Sequence, residues 1–385
     1  MIKSSRQPRQ TLEGSEAATS QMSAGTQPST STGPEANKSI RGRGANANPA
    51  NRFEKIAYEP EPESQEQTHT GPATELLRDT SKTFITYNDS PDVGFNASIN
   101  PYRGCEHGCI YCYARPTHEY LGFSAGLDFE TRILVKEAAP DLLRKELSSP
   151  KWKPQVIAIS GVTDPYQPVE RRLGLTRACL KVLLEFLNPL AVVTKNYLVT
   201  RDIDLLAQLA EHRAAAVFVS VTTLDGSLTQ RLEPRASQPE RRLEAIHTLA
   251  KAGIPVGVMV APVIPGLTDH EMPSILKAAS EAGARRAGYV MLRLPYGVSP
   301  LFEDWLDRNF ADRKDKILHR IRSLRSGQLN DPRFRSRMSG EGTFADQVKD
   351  LFAVSCRKAN LNVLSLDLST ESFRRARGSQ LSLFN

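Results

Sequence analysis

This chain has few of the features that would carry a protein into a membrane or out of the cell. No apolar run is long enough to span a bilayer, and the first residues lack the hydrophobic core of a secretory signal. Cysteine is scarce: there are five, an odd total, and three are clustered between Cys105 and Cys112. That usage argues against a disulfide framework and for a metal site in a reducing compartment. The expectation is a soluble, cytoplasmic protein. Aliphatic periodicity is missing from residues 1 to about 75, which are rich in Ser, Thr, Gly, Pro, Gln and Ala. Such a segment buries too little apolar surface to offset the entropy of ordering, so it reads as a disordered tail. Within it RGRGANANPANRFE, Arg41 to Glu54, reads as a linker, with packing on the domain or contact with nucleic acid as alternatives. Acidic residues are thin at the other end. From Arg313 onward there are fifteen Lys or Arg against seven Asp or Glu, about +8, and the rest of the chain is close to neutral. A concentrated basic region attracts phosphate backbones, although a solvated charged face gives the same count.

From about residue 95 short β-branched runs alternate with amphipathic stretches, the pattern of repeated βα units on a parallel sheet. Strands are expected at 156–161, 190–195, 216–223, 256–264 and 288–294, with helices at 173–187, 202–212, 240–252 and 270–282 between them. A further strand just before the cysteines makes six units, too few for a closed eight-stranded barrel. The expected fold is therefore α/β, a partial (β/α)6 barrel of the TIM type, with its active face at the C-terminal strand ends. The chain divides into a tail (1–75), the barrel (76–312), a basic, largely helical C-terminal extension (313–378) and a terminal peptide (379–385). In the extension, helix is expected from Trp305 to about Ser326 and from Phe344 to Ala359.

The run NPYRGCEHGCIYCYARP places Cys105, Cys109 and Cys112 in the loop after the first strand. Three thiolates can hold three irons of a four-iron cluster and leave the fourth open to another ligand. The competing reading is a structural zinc site completed by His107 or His118, a cramped tetrahedron in one short loop. The spacing Cys-x3-Cys-x2-Cys with Tyr111 before the last cysteine resembles the radical S-adenosylmethionine superfamily. With GVTDPYQPVERRLGLTR, VVTKN, VSVTT and APVIPGLTD, each at or after an expected strand, residues 80 to 370 are most similar to its spore photoproduct lyase-like, DNA repair photolyase-related group.

That resemblance implies a [4Fe-4S] cluster on the three cysteines, S-adenosylmethionine chelating the fourth iron, reductive cleavage to a 5′-deoxyadenosyl radical, and an electron donor such as flavodoxin or ferredoxin. It implies that Tyr111 and Tyr113 line the cofactor pocket, that Lys195 pairs with the cofactor's carboxylate, and that Ser220 stands near it. Asp164 and Glu170 of TDPYQPVE are expected at the cofactor or substrate, with a rigid turn capped by the aspartate as the alternative. One departure limits the analogy: the lyase's hydrogen-donating cysteine has no counterpart, since no cysteine falls between Cys112 and Cys179. Cys179 and Cys356 read as packing residues. Tyr289 and Tyr296 stand as alternative quenchers of a product radical, or as core or rim aromatics.

The sequence also contains Gln380-Leu381-Ser382-Leu383-Phe384, which matches the pentapeptide by which bacterial repair and replication proteins bind the sliding clamp. A strand or hook docking on its own domain is the alternative. Together these features predict a bacterial radical enzyme acting on nucleic acid. Modification of a protein or metabolite, and a non-catalytic iron-sulfur adaptor, are the competing functions.

Overall fold

The computed structural model describes residues 39–54 and 72–375, which belong to one compact unit starting at Ser39. Ten strands occur among them: β1 (Glu75–Arg78), β2 (Thr86–Tyr87), β3 (Ala97–Ile99), β4 (Tyr102–Arg103), β5 (Arg132–Val135), β6 (Ile157–Ile159), β7 (Leu190–Thr194), β8 (Ala215–Ser220), β9 (Val256–Val263) and β10 (Arg286–Met291). The larger sheet has the order β10-β9-β8-β7-β6-β3-β2. Its six neighbours from β3 to β10 are all parallel, and β2 closes one edge antiparallel to β3. Six parallel strands in sequential order that do not close on themselves make the open six-unit barrel the sequence predicts.

The central strands are apolar and largely buried on both faces, as a helix-covered parallel sheet requires; β8 (AAVFVS) is buried at five of six positions, while the edge strand β10 is buried only at Met291. Helices Leu175–Phe186, Ile203–Glu211, Pro239–Lys251 and Met272–Glu281 follow strands in turn and press apolar faces on the sheet. Leu180, Leu183, Phe186, Leu206, Leu209, Ile246, Leu249, Ile275 and Leu276 share one core with the strand residues. Cys179 and Cys356 are buried in it.

After β10, helices Val298–Phe310 and Lys314–Ser323 bring Phe302, Trp305, Ile317 and Ile321 into a second core that includes Ile110 and Tyr111 of the cysteine loop. Helix Thr343–Lys358 packs on helix Met272–Glu281. No described helix is long and apolar enough to cross a membrane.

Two features depart from expectation. A small sheet, β1-β5-β4, flanks the cysteine loop; its strands of two to four residues are too short to carry a readable period. Residues 39–54 and 72–74, expected within the disordered tail, lie on the domain, because their backbone and side-chain donors find acceptors around the cysteine loop. The pentapeptide Gln380 to Phe384 falls outside the described residues.

Candidate active site

The cysteine loop follows β4 at the C-terminal end of the sheet and is held from three sides. From below, the Arg115 guanidinium, fully buried, donates to the carbonyls of Gly108, Cys109, Ala125 and Gly126 at 2.9–3.2 Å and to Glu130 Oε1 at 2.5 Å. Beside it, the loop after β6 supplies Thr163, whose hydroxyl donates to Gly104 O at 2.6 Å. Gln167 donates to the same carbonyl at 3.2 Å and accepts from Glu106 N at 2.9 Å. The third side is the segment 41–54. Gly44 N and Ala45 N donate to Glu130 Oε2 and Oε1 at 3.0 and 2.9 Å, Arg43 donates to Glu130 O at 2.8 Å, and Asn48 exchanges two bonds with Asp128. Gly44 passes so close that a Cβ there would stand 1.8 Å from Gly108 O. The RGRG segment is therefore a strap across the cysteine loop.

Lys195, at the end of β7, points its ammonium to Ala261 O (2.9 Å), Thr222 Oγ1 (3.2 Å) and Glu233 Oε1 (3.3 Å), and lies 5.7 Å from the Tyr111 ring centre. Glu233 is the hub of this cluster. Its Oε1 also accepts from Tyr111 and, at 2.7 Å, from Thr222, while Oε2 pairs with Arg242. Glu233 and Arg242 are each 1 % exposed. Burial alone would raise the Glu233 carboxyl, but the charges of Arg242 and Lys195 outweigh it and hold the group well below the usual carboxylate range. Arg242 donates onward to Ser220 O and Ser237 O at 3.1 and 2.7 Å, so the cluster fixes the end of β8.

The expected site residues divide into three groups. Cys105, Cys109, Cys112, Tyr111, Lys195 and the buried Ser220 come together around the strand ends, as does Tyr113, whose hydroxyl donates to Gly161 O at 2.6 Å. Asp164 is also there, but its oxygens accept from Thr194 Oγ1 (2.7 Å), Lys195 N (2.8 Å) and Tyr166 N (2.9 Å), and His107 Nδ1 stands 3.4 Å away. This is the capped rigid turn, joined to the backbone of Lys195. The third group lies elsewhere. Glu170 takes bonds from Tyr102, Thr176 N and Arg201 at 2.5–3.0 Å in a separate buried network. Tyr289 packs against Phe352 of helix Thr343–Lys358, ring centres 4.8 Å apart and planes tilted by 47°. Tyr296 is exposed under the Arg52 guanidinium of the strap. Arg115, Glu130, Glu233 and Arg242 escaped the sequence reading. Their only signal was charge at positions that face inward on an apolar pattern.

The donor set suits a multiply charged centre. Burial pushes the Cys109 thiol well up, with Glu233, Cys112 and Cys105 adding to the rise and Lys195 opposing it. Burial and then Cys105 raise Cys112, against Arg115 and Lys195. Buried thiols raised in this way, as Cys109 and Cys112 are, become thiolates with a cationic partner beside them. Of the histidines a zinc reading would recruit, His118 is turned away from the thiols, while His107 interacts with Cys105 as well as with Asp164. His118 Nε2 is 2.9 Å from Arg132 O, and burial pushes its pKa down to about 4. His107 Nε2 meets Asn196 at 3.0 Å. Among the described residues no three His, Cys, Asp or Glu side chains, the three loop cysteines included, are arranged to hold a metal ion.

Comparison with known proteins bears on the family and the fold. The profile of the Radical SAM superfamily matches residues 99–279. An uncharacterized protein of Mycobacterium tuberculosis is 37 % identical over 244 residues, 63 % of this chain and 71 % of that one. The spore photoproduct lyase of Bacillus subtilis is 28 % identical over 167 residues, 42 % of this chain and 43 % of the lyase. A spore photoproduct lyase mutant solved with bound AdoMet and dinucleoside spore photoproduct superposes with a TM-score of 0.52 at 15 % identity, covering 74 % of this chain and 78 % of that one. The chain belongs to the radical S-adenosylmethionine superfamily, enzymes that use a [4Fe-4S] cluster and S-adenosylmethionine.

Proposed function

We propose that Cys105, Cys109 and Cys112 ligate the [4Fe-4S] cluster and that the enzyme abstracts hydrogen from a nucleic-acid substrate. The observation that carries the reading is the meeting of the three-thiol loop with the Lys195 ammonium and Tyr111 at the strand ends. When bound, the cluster and S-adenosylmethionine would supply a one-electron reductive cleavage, with the electron from a donor such as flavodoxin or ferredoxin, and hydrogen abstraction from the substrate. In this reading Lys195 receives the cofactor's carboxylate; Thr222, Ala261 O and Glu233 aim its ammonium. Asp164 holds the Lys195 backbone, and Tyr111 and Tyr113 wall the pocket. Strap, Arg115 and Glu130 keep the loop shut against water from behind.

Nucleic acid is favoured by the basic C-terminal region, by the likeness to the lyase, and by QLSLF, read as a peptide for a sliding clamp. A reducing cytoplasm suits such a cluster. The test uses anaerobically reconstituted full chain, dithionite, S-adenosylmethionine and single-stranded DNA deuterated at carbon. Deuterium in the recovered 5′-deoxyadenosine is the expected result. Efficient cleavage with no label transferred would move the substrate to proteins or metabolites.

A further inference from the structure

At the mouth of the barrel one guanidinium has no counterpart. Arg293 lies two residues past the end of β10, half-buried, with its Nε enclosed and unpartnered. No hydrogen bond or ion pair reaches its guanidinium among the described residues. Its one close neighbour is the Tyr113 ring, 4.4 Å from the guanidinium carbon to the ring centre. Tyr113 is anchored at Gly161, beyond β6. The Arg293–Tyr113 stack therefore spans the mouth between two strands that have three others between them in the sheet.

Two further guanidinium groups flank it, with Asp92 and Cys112 also within electrostatic reach. Arg337 and Arg325 both lie within electrostatic reach of Arg293. The carboxylate on that side, Asp92, is already engaged: it takes Arg337 Nε and Arg335 N, each at 2.5 Å. Arg325 donates to the Met291 and Leu292 carbonyls at 2.6–3.2 Å and leaves a second enclosed nitrogen, Nη1, without an acceptor. Burial first, and then Arg337, pull the Arg293 pKa down, and burial with Arg293 brings Arg325 down to about 10. Enclosed donors without acceptors destabilise a fold unless something outside it binds them. An anion is the acceptor that best suits two neighbouring guanidinium groups. A planar guanidinium matches two oxygens of a phosphate; the exposed Tyr113 ring beside it, and the exposed Phe334 ring beside Arg337, offer faces for bases.

We propose that Arg293 is a phosphate-binding subsite at the barrel mouth, taking a backbone phosphate of single-stranded nucleic acid while Tyr113 packs beside the adjoining nucleotide. The segment Arg333 to Arg337, tied to the loop before β3 through Asp92, forms its basic rim. This proposal rests on the nucleic-acid reading above and gives it a place on the surface.

The test measures binding of a fluorescein-labelled ten-nucleotide oligothymidine to the reconstituted full chain, by anisotropy over a salt series, for wild type, Arg293→Gln and Arg293→Lys. In parallel, S-adenosylmethionine binding and thermal unfolding are measured. Wild type should bind with salt-dependent affinity. Arg293→Gln should bind about ten-fold more weakly, with a shallower salt slope by somewhat under one unit, and Arg293→Lys should fall between. Cofactor binding should be retained and the melting temperature should not fall, because Arg293 makes no hydrogen bond or ion pair among the described residues and the Tyr113 ring it touches is anchored separately at Gly161. Equal binding by wild type and Arg293→Gln overturns the subsite and leaves the nucleic-acid reading standing. No oligonucleotide binding by wild type overturns both. Loss of S-adenosylmethionine binding alone assigns Arg293 to the cofactor and overturns the subsite, and a lowered melting temperature with unchanged oligonucleotide affinity makes it structural.

Discussion

Glu233→Gln should destabilise the protein by about 3–5 kcal/mol, the usual effect of breaking a buried ion pair from one side. The reason is what remains. Arg242 stays charged and 1 % exposed with no counter-ion, and Lys195 loses its carboxylate on the other side of the hub. Urea midpoints at neutral pH read the effect. Removing both charges, in Glu233→Gln with Arg242→Met, should be less damaging than the sum of the two single changes, because no lone charge is left inside. The same pair sets an acid dependence. A carboxyl whose folded pKa is depressed contributes stability above its unfolded value, about 4.5, and loses that contribution as pH falls toward the folded value. Wild type should therefore lose stability below about pH 4.5 more steeply than Glu233→Gln does. A glutamine variant within about 0.5 kcal/mol of wild type would show that Glu233 is not the hub.

Gly44→Ala should act through distance alone. The added Cβ would stand 1.8 Å from Gly108 O and 3.3 Å from Ile110 N, both backbone atoms. The strap has to lift, and Glu130, fully buried, then loses the Gly44 and Ala45 amides while keeping Arg115. An unsatisfied buried carboxylate oxygen makes a loss of about 2–4 kcal/mol the expected result. Because Gly108 sits inside the cysteine run, iron bound per chain after reconstitution should fall by more than half. Gly42→Ala is the control: its Cβ meets nothing within 4 Å, so only the strain of φ +74° remains, about 1 kcal/mol. Equal iron loading in the two variants would separate the strap from the cluster loop.

The barrel was legible in the sequence because its strands are apolar runs with turn signals between them. The reading of 190–195 falls within one residue of β7, Leu190–Thr194, and that of 256–264 within one residue of β9, Val256–Val263. The cysteine loop was legible because three ligands sit in one short run. What the sequence hid is long in range. Glu130 meets Gly44 from 86 positions away, and Tyr111 meets Glu233 across 122, so neither pairing leaves a local pattern. The strap was hidden a second way: the Gly and Asn that let it lie flat on the loop have the same composition as a linker. Glu170 misled for the opposite reason. It sits in the expected loop, yet its carboxylate turns to Tyr102 and Arg201.

The central claim is that the three thiols hold a cluster that cleaves S-adenosylmethionine, and it is tested most directly by 5′-deoxyadenosine formation. Full-length protein, reconstituted anaerobically with iron and sulfide and reduced with dithionite, should convert S-adenosylmethionine to 5′-deoxyadenosine. Cys105→Ala, Cys109→Ala and Cys112→Ala, each treated the same way, should form none above the protein-free background. A wild-type protein that carries its full iron but yields no 5′-deoxyadenosine, or a cysteine variant that yields as much as wild type, would contradict the account.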